Sequence, residues 1–136
     1  MLRISLCALI LVSVTGVAAA QNTISAPSTW VNQNGSVLTI DSIDGDGSFK
    51  GHFVNKKQGT YCLNVSYLAE GKVKDGAIWF AVTFADAVDY KNDCYTVTQW
   101  RGAASEKAFD TTWSLAYAGS SGLIVIGGSD KFDLQP

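Results

Sequence analysis

Residues 36–55 read Ser-Val-Leu-Thr-Ile-Asp-Ser-Ile-Asp-Gly-Asp-Gly-Ser-Phe-Lys-Gly-His-Phe-Val-Asn. Two runs rich in β-branched and aromatic side chains, Ser36–Ile43 and Ser48–Asn55, flank the cluster Asp44-Gly45-Asp46-Gly47. Such side chains suit a pleated ladder, whereas glycine supplies the positive φ that a tight turn needs, so the stretch predicts a strand, a turn and a second strand. The Asp-Gly-Asp-Gly cluster faintly resembles a calcium loop. It lacks the later ligands and the glutamate that such a loop requires, and a polar hairpin turn is the expected role.

The same punctuation recurs on both sides. Upstream, Ser28–Asn32 stops at Gln33-Asn34-Gly35. Downstream come Cys62–Leu68, with a continuation toward Val73, then Ala77–Thr83, Tyr95–Gly102, Ala108–Tyr117 and Leu123–Leu134. No stretch after the N-terminal apolar run shows a capped 3.6-residue apolar period. Pro27 precedes the first run and Pro136 is the last residue, so neither interrupts a ladder. Eight short consecutive antiparallel strands have two common solutions, a sandwich and a closed up-and-down barrel. Closure removes the exposed edges, and eight strands enclose room for one small ligand, so the expected fold is all-β, an eight-stranded antiparallel up-and-down β-barrel. In Trp79–Phe84 every side chain except Thr83 is apolar. That predicts a strand covered on both faces, as when the outside of a barrel packs on another subunit.

Arg3 is the only charge in the first forty residues; the apolar run Ile4–Val12 and the small-residue stretch Val17-Ala18-Ala19-Ala20 follow it. These are the three parts of a secretory signal peptide, and the apolar run is short for a membrane span. The expectation is cleavage near Ala20, leaving residues 21–136 as one domain in the periplasm or outside the cell. That domain has 136 − 20 = 116 residues and a net charge of (10 − 1) − 12 = −3. A mildly acidic chain whose only basic cluster is the pair Lys56-Lys57 has no electrostatic footprint for nucleic acid or an anionic membrane. Cys7 would leave with the leader, so Cys62 and Cys94 remain as an even pair with one possible connectivity.

Enzymatic constellations are missing. His52 is the only histidine, which excludes a histidine cluster for zinc and leaves no spare base for a Ser–His–Asp arrangement. No nucleophile or orienting carboxylate accompanies it in sequence, and a surface position is the simpler role. The chain is instead rich in binding material: Trp30, Trp79, Trp100 and Trp113, Ser/Thr/Asn at strand ends, and a late isolated Asp130. Small-ligand pockets pair aromatic walls with a few well-placed polar groups, although each tryptophan alone is equally a core residue.

Four segments carry a resemblance. Thr29-Trp30-Val31-Asn32-Gln33-Asn34-Gly35-Ser36 resembles the opening strand and turn of the avidin–streptavidin family. Thr96-Val97-Thr98-Gln99-Trp100-Arg101-Gly102 is similar to its sixth strand, Thr112-Trp113-Ser114-Leu115 to its seventh, and Gly128-Ser129-Asp130-Lys131-Phe132 to its eighth. They stand in the family's order across Ser28–Phe132, essentially the whole domain. The resemblance implies non-covalent binding of biotin, as a ligand and not as a covalent cofactor, with no catalytic residue and no metal. Asn32 and Ser36 would donate to the ureido oxygen, while Asp130 and Asn55 would each accept a ureido N–H. Thr98 would meet the thioether sulfur, Thr96 or the nearby loop would lie beside the valerate chain, and Trp100 and Trp113 would wall the ring.

Three departures bear on strength and assembly. Phe53 stands where the family usually has a tyrosine whose hydroxyl also donates to the ureido oxygen, a loss of roughly 1 kcal/mol unless water or His52 substitutes. Phe84 replaces a usual wall tryptophan. Ala118–Ile126 holds no tryptophan, whereas tetrameric members lend one from this loop to a neighbour. Cys62 and Cys94 resemble the disulfide pair of a dimeric bacterial subset, so the resemblance implies a homodimer, with a tetramer as the alternative. The rival readings are an exported barrel of this shape that binds another protein, such as a protease inhibitor, or one that binds another small urea-like ligand. A lumen with Asn32, Ser36, Asn55, Thr98 and Asp130 converging on two tryptophans is what separates them, because a protein-binding barrel has no need of polar groups inside itself.

Overall fold

A computed structural model describes residues 24–85 and 94–136; the expected leader, its cleavage point at Ala20 and Cys7 lie outside the described residues. The elements are β1 (Ser28–Asn32), β2 (Val37–Ile43), β3 (Ser48–Val54), β4 (Ser66–Lys74), β5 (Ala77–Phe84), β6 (Thr96–Ala104), β7 (Ala108–Gly119) and β8 (Gly122–Leu134). Each pairs antiparallel with the next. The sheet closes where β1 meets β8, with Trp30 opposite Leu134 and Asn32 opposite Phe132. The sandwich is thereby excluded and the up-and-down barrel is the fold.

The turns sort into two ends. Asp44–Gly47, Asp75-Gly76 and Ser105–Lys107 close one end, together with the C-terminal residues, where the Gln135 N–H donates to Thr29 O at 2.9 Å. The β1–β2 turn, the long β3–β4 loop and the β7–β8 turn lie at the other. Alternation sends Leu38, Ile40, Phe49, Val73, Ile78, Phe80, Phe109 and Phe132 inward, where they fill the first end. Trp30 stacks on Phe109 there, with ring centroids 3.8 Å apart. Each such side chain removed from water contributes roughly 1.5–3 kcal/mol.

The Asp44–Gly47 cluster is the expected hairpin turn. Asp46 Oδ1 accepts from the Ser48 N–H at 2.9 Å, and Asp46 Oδ2 accepts from Lys72 at 3.1 Å. The backbone N–H of Ser48, then the Lys72 ammonium and the Ser48 hydroxyl, hold the Asp46 carboxyl down at about 2.

Four strand starts differ from expectation, those of the second and eighth by one residue only, at Val37 for Ser36 and Gly122 for Leu123. The fourth strand begins at Ser66, not Cys62, and the sixth at Thr96, not Tyr95. Cys62 (φ 54°), Asn64 (φ 61°) and Tyr95 (φ 50°) all occupy the left-handed region, which no ladder accepts. These residues flank the Cys62–Cys94 disulfide, whose Cα atoms lie 6.0 Å apart. His52 also needs a correction. It points out of the barrel, where Asp41 Oδ2 lies 2.7 Å from its Nδ1, so a carboxylate does accompany it, from the neighbouring strand. Facing outward, it cannot replace the donor missing at inward-facing Phe53. Trp79 likewise stands on the outer wall, 53% exposed in the single chain.

Candidate ligand-binding site

At the end opposite the packed core the inward row becomes mixed. A cavity of about 640 Å³ opens there, and all ten side chains expected at a site line it: Asn32, Ser36, Phe53, Asn55, Phe84, Thr96, Thr98, Trp100, Trp113 and Asp130. Burial grades the lining. Asn32, Ser36, Phe53, Phe84, Thr98, Trp100 and Asp130 are buried, Asn55, Thr96 and Trp113 are half-buried, and the β3–β4 loop forms an exposed rim.

The polar groups are held by the turns that carry them. Asn32, the last residue of β1, accepts from the backbone N–H groups of Asn34 (3.0 Å) and Ser36 (2.9 Å) through its Oδ1. This fixes the amide so that Nδ2 is left to donate. Every sealed side-chain nitrogen or oxygen among the described residues has a partner. Among the described residues neither Asn32 Nδ2 nor the Thr98 hydroxyl has a partner, and both residues line the void, so these groups front it. Ser36 Oγ accepts from the Lys56 N–H at 2.9 Å and makes only a long 3.4 Å contact to Asn55 Oδ1. Asn55 is anchored in the loop, donating from Nδ2 to Thr60 Oγ1 (2.9 Å) and Tyr61 O (3.0 Å) and accepting from the Lys57 N–H (3.1 Å).

Asp130 is oriented from two sides. Its Oδ2 accepts from Trp100 Nε1 at 2.8 Å and its Oδ1 from Gln33 Nε2 at 2.8 Å. Gln33 in turn accepts from the Lys131 N–H through Oε1, at 3.0 Å. It thus staples the β1–β2 turn to β8 beyond the last β1–β8 pair, and nothing in its local sequence marks it for that task. Each carboxylate oxygen keeps acceptor capacity for a further donor.

The apolar walls are equally specified. Trp100 stacks on Phe80 beneath it (centroids 4.7 Å apart, planes 8°) and meets Phe53 at 4.9 Å; Phe84 contacts Phe53 and Tyr67. Trp113 lies over Gly128, where a Cβ would approach its Cζ2 to 2.6 Å, so the flat indole requires the glycine. Leu115, Tyr117 and Ile126 extend this wall toward the rim, joined there by Lys57, Thr60 and Tyr61. The first two continue the inward alternation from Trp113 and were legible from it. The rim residues depend on how the β3–β4 loop folds.

The model for the avidin family matches residues 20–125, most of the chain. The chain belongs to the avidin family. Afifavidin of Afifella pfennigii is 38% identical over 112 residues, 79% of this avidin and 67% of the relative. The crystal structure of a rhizavidin–biotin complex superposes with a TM-score of 0.73 at 36% identity, covering 82% of this avidin and 93% of that chain. A bradavidin2–biotin complex superposes equally well at 33% identity, covering 83% and 100%. The family match ends at residue 125, before Asp130, yet β8 runs on to Leu134 and carries that carboxylate into the cavity.

Proposed function

We propose that this avidin binds one biotin per chain without covalent chemistry, and that it does so as an exported homodimer and not as an enzyme. The observation that carries the reading is the pairing of deep donors, Asn32 Nδ2 and the Ser36 hydroxyl, with a pre-oriented acceptor, Asp130, inside one aromatic-walled cavity. A buried urea must have its oxygen and both N–H groups met or it forfeits the desolvation cost of each. Asn32 and Ser36 donate to the oxygen, and Asp130 and Asn55 accept the N–H groups. Ser36 gives up its 3.4 Å contact to Asn55 in exchange, so one long bond is replaced by two ligand bonds. Thr98 faces the thioether sulfur and Thr96 the valerate chain. Phe53, Phe84, Trp100 and Trp113 exclude water from the ring. Phe53 brings no hydroxyl, so binding is weaker than a full set of donors would give.

The dimer rests on the outer wall. Val97, Ala116 and Val125 form one lateral row across β6, β7 and β8, with Val125 59% and Leu123 75% exposed beside them. No charged side chain interrupts Ser114, Ala116, Ala118, Leu123, Val125 and Gly127 on that face. A contiguous apolar patch of this kind favours burial against a second copy. Export is supported by the three-part N-terminal signal and by the disulfide, which persists in oxidising compartments.

Isothermal titration of oxidised residues 21–136 with biotin tests the central reading. Heat saturating at one ligand per chain is expected. Absence of heat at millimolar biotin overturns it and brings the protein-binding barrel or another urea-like ligand forward. Sedimentation equilibrium checks the assembly, with a dimer mass expected and a monomer for Val125→Asp. The N-terminal sequence of the secreted product checks cleavage after Ala20.

A further inference from the structure

We infer that Lys57 makes the site selective for ligands with a free anionic tail, so that free biotin is preferred over biotin whose carboxyl is bound in an amide; this rests on the biotin reading above. The cavity is electrically two-ended. Among the described residues lining it, Asp130 is the only acid and lies deep, and Lys57 is the only cation and lies on the exposed rim. A ligand whose donor-bearing head meets Asp130 therefore presents its other end to a lysine. Biotin has that polarity, with two N–H groups at the head and a carboxylate at the end of the valerate chain.

Lys57 is available for the task and its backbone is fixed. The ion pairs among the described residues use His52, Lys72 and Lys131, and Lys57 takes part in none of them. Its N–H donates to Asn55 Oδ1 at 3.1 Å and its carbonyl accepts from Thr60 Oγ1 at 2.6 Å. The preceding residue, Lys56, donates its N–H to Ser36 Oγ at 2.9 Å. The Lys56-Lys57 backbone is thus tied to Ser36 and Asn55, two of the side chains that hold the ureido head, while the four-carbon stem of Lys57 lets its ammonium reach over the opening. Substituting the side chain leaves all three backbone contacts in place. The basic pair Lys56-Lys57, too small to attract a polyanion, is well matched to one carboxylate.

An exposed ion pair is screened and weak, so the effect is modest. The test compares biotin with biotinamide, the primary amide of the same size, on the oxidised protein by titration calorimetry in low salt. Wild-type protein is expected to hold biotin about two- to fivefold more tightly than biotinamide. The Lys57→Gln variant should lose that ratio by weakening for biotin alone, and Lys57→Arg should keep it. Raising salt to half-molar should shrink the wild-type ratio toward one. If both ligands bind and the ratio is the same in wild type and Lys57→Gln, the Lys57 inference falls and the biotin reading stands. If neither binds wild-type protein, the biotin reading falls and takes this inference with it.

Discussion

The two halves of this barrel are made by the same eight strands and by similar side chains, yet one is solid and the other hollow. At the packed end Trp30, Phe49, Phe80, Phe109 and Phe132 meet one another. Gly71 leaves room for them, since a Cβ there would come within 2.7 Å of Phe49 Cζ. At the open end Phe53, Phe84, Trp100 and Trp113 stand around a cavity of about 640 Å³. What differs is the polar complement. The packed end buries Thr111, which is satisfied within the protein by donating to Asp130 O at 2.9 Å. The open end holds Asn32 Nδ2 and the Thr98 hydroxyl, which have no partner among the described residues. One end stores stability and the other stores unspent hydrogen bonds. Phe80, stacked under Trp100, is the plane between them.

That division can be broken by substitution on either side of the plane. Phe109→Ala, at the packed end, should cost about 3–5 kcal/mol in denaturant unfolding while leaving the biotin affinity of the folded fraction unchanged. A parallel loss of affinity would mean the ends are not separable. Asp130→Ala, at the open end, removes a ligand acceptor and strips Trp100 Nε1 and Gln33 Nε2 of theirs. It should raise the biotin Kd by about ten- to a hundredfold, from the roughly 1–3 kcal/mol cost of unmet groups. Phe53→Tyr sharpens the contrast from the opposite direction. A hydroxyl facing the ureido oxygen should tighten biotin by about fivefold, from roughly 1 kcal/mol, with little change in Tm.

The smallest effect belongs to the turn at the packed end. The Asp46 carboxyl is lowered to about 2 in the folded chain, below the roughly 4 of an unfolded aspartate. Its contribution is therefore fully present above pH 4 or so and is lost as pH falls toward 2. Melting curves should show wild type losing Tm more steeply than Asp46→Asn across that window, with biotin binding at neutral pH the same in both.

The strands and their turns were legible because period-two side chains and Gly/Asp clusters act locally. The sequence pattern alone left barrel and sandwich open, since closure depends on β1 finding β8 roughly a hundred residues away. Where the reading of strand starts slipped most, at Cys62–Val65 and Tyr95, residues beside the Cys62–Cys94 bridge take up left-handed backbone that no strand propensity reports. Seven of the ten expected site residues were read from the four resembling segments, and Phe53, Asn55 and Phe84 from their place in the family resemblance; the fold brings all ten to one cavity. Gln33 was invisible, because its value lies in reaching Asp130 across 97 positions of sequence. The Asp41–His52 pair was missed for a similar reason, being a product of strand register.

The seam where Gln135 joins Thr29 places the C-terminal residues at the end of the barrel remote from the cavity mouth. A tether added after Pro136 leaves from beneath the packed floor. Immobilised by its tail on a bead or sensor surface, the barrel presents its opening outward to the solution.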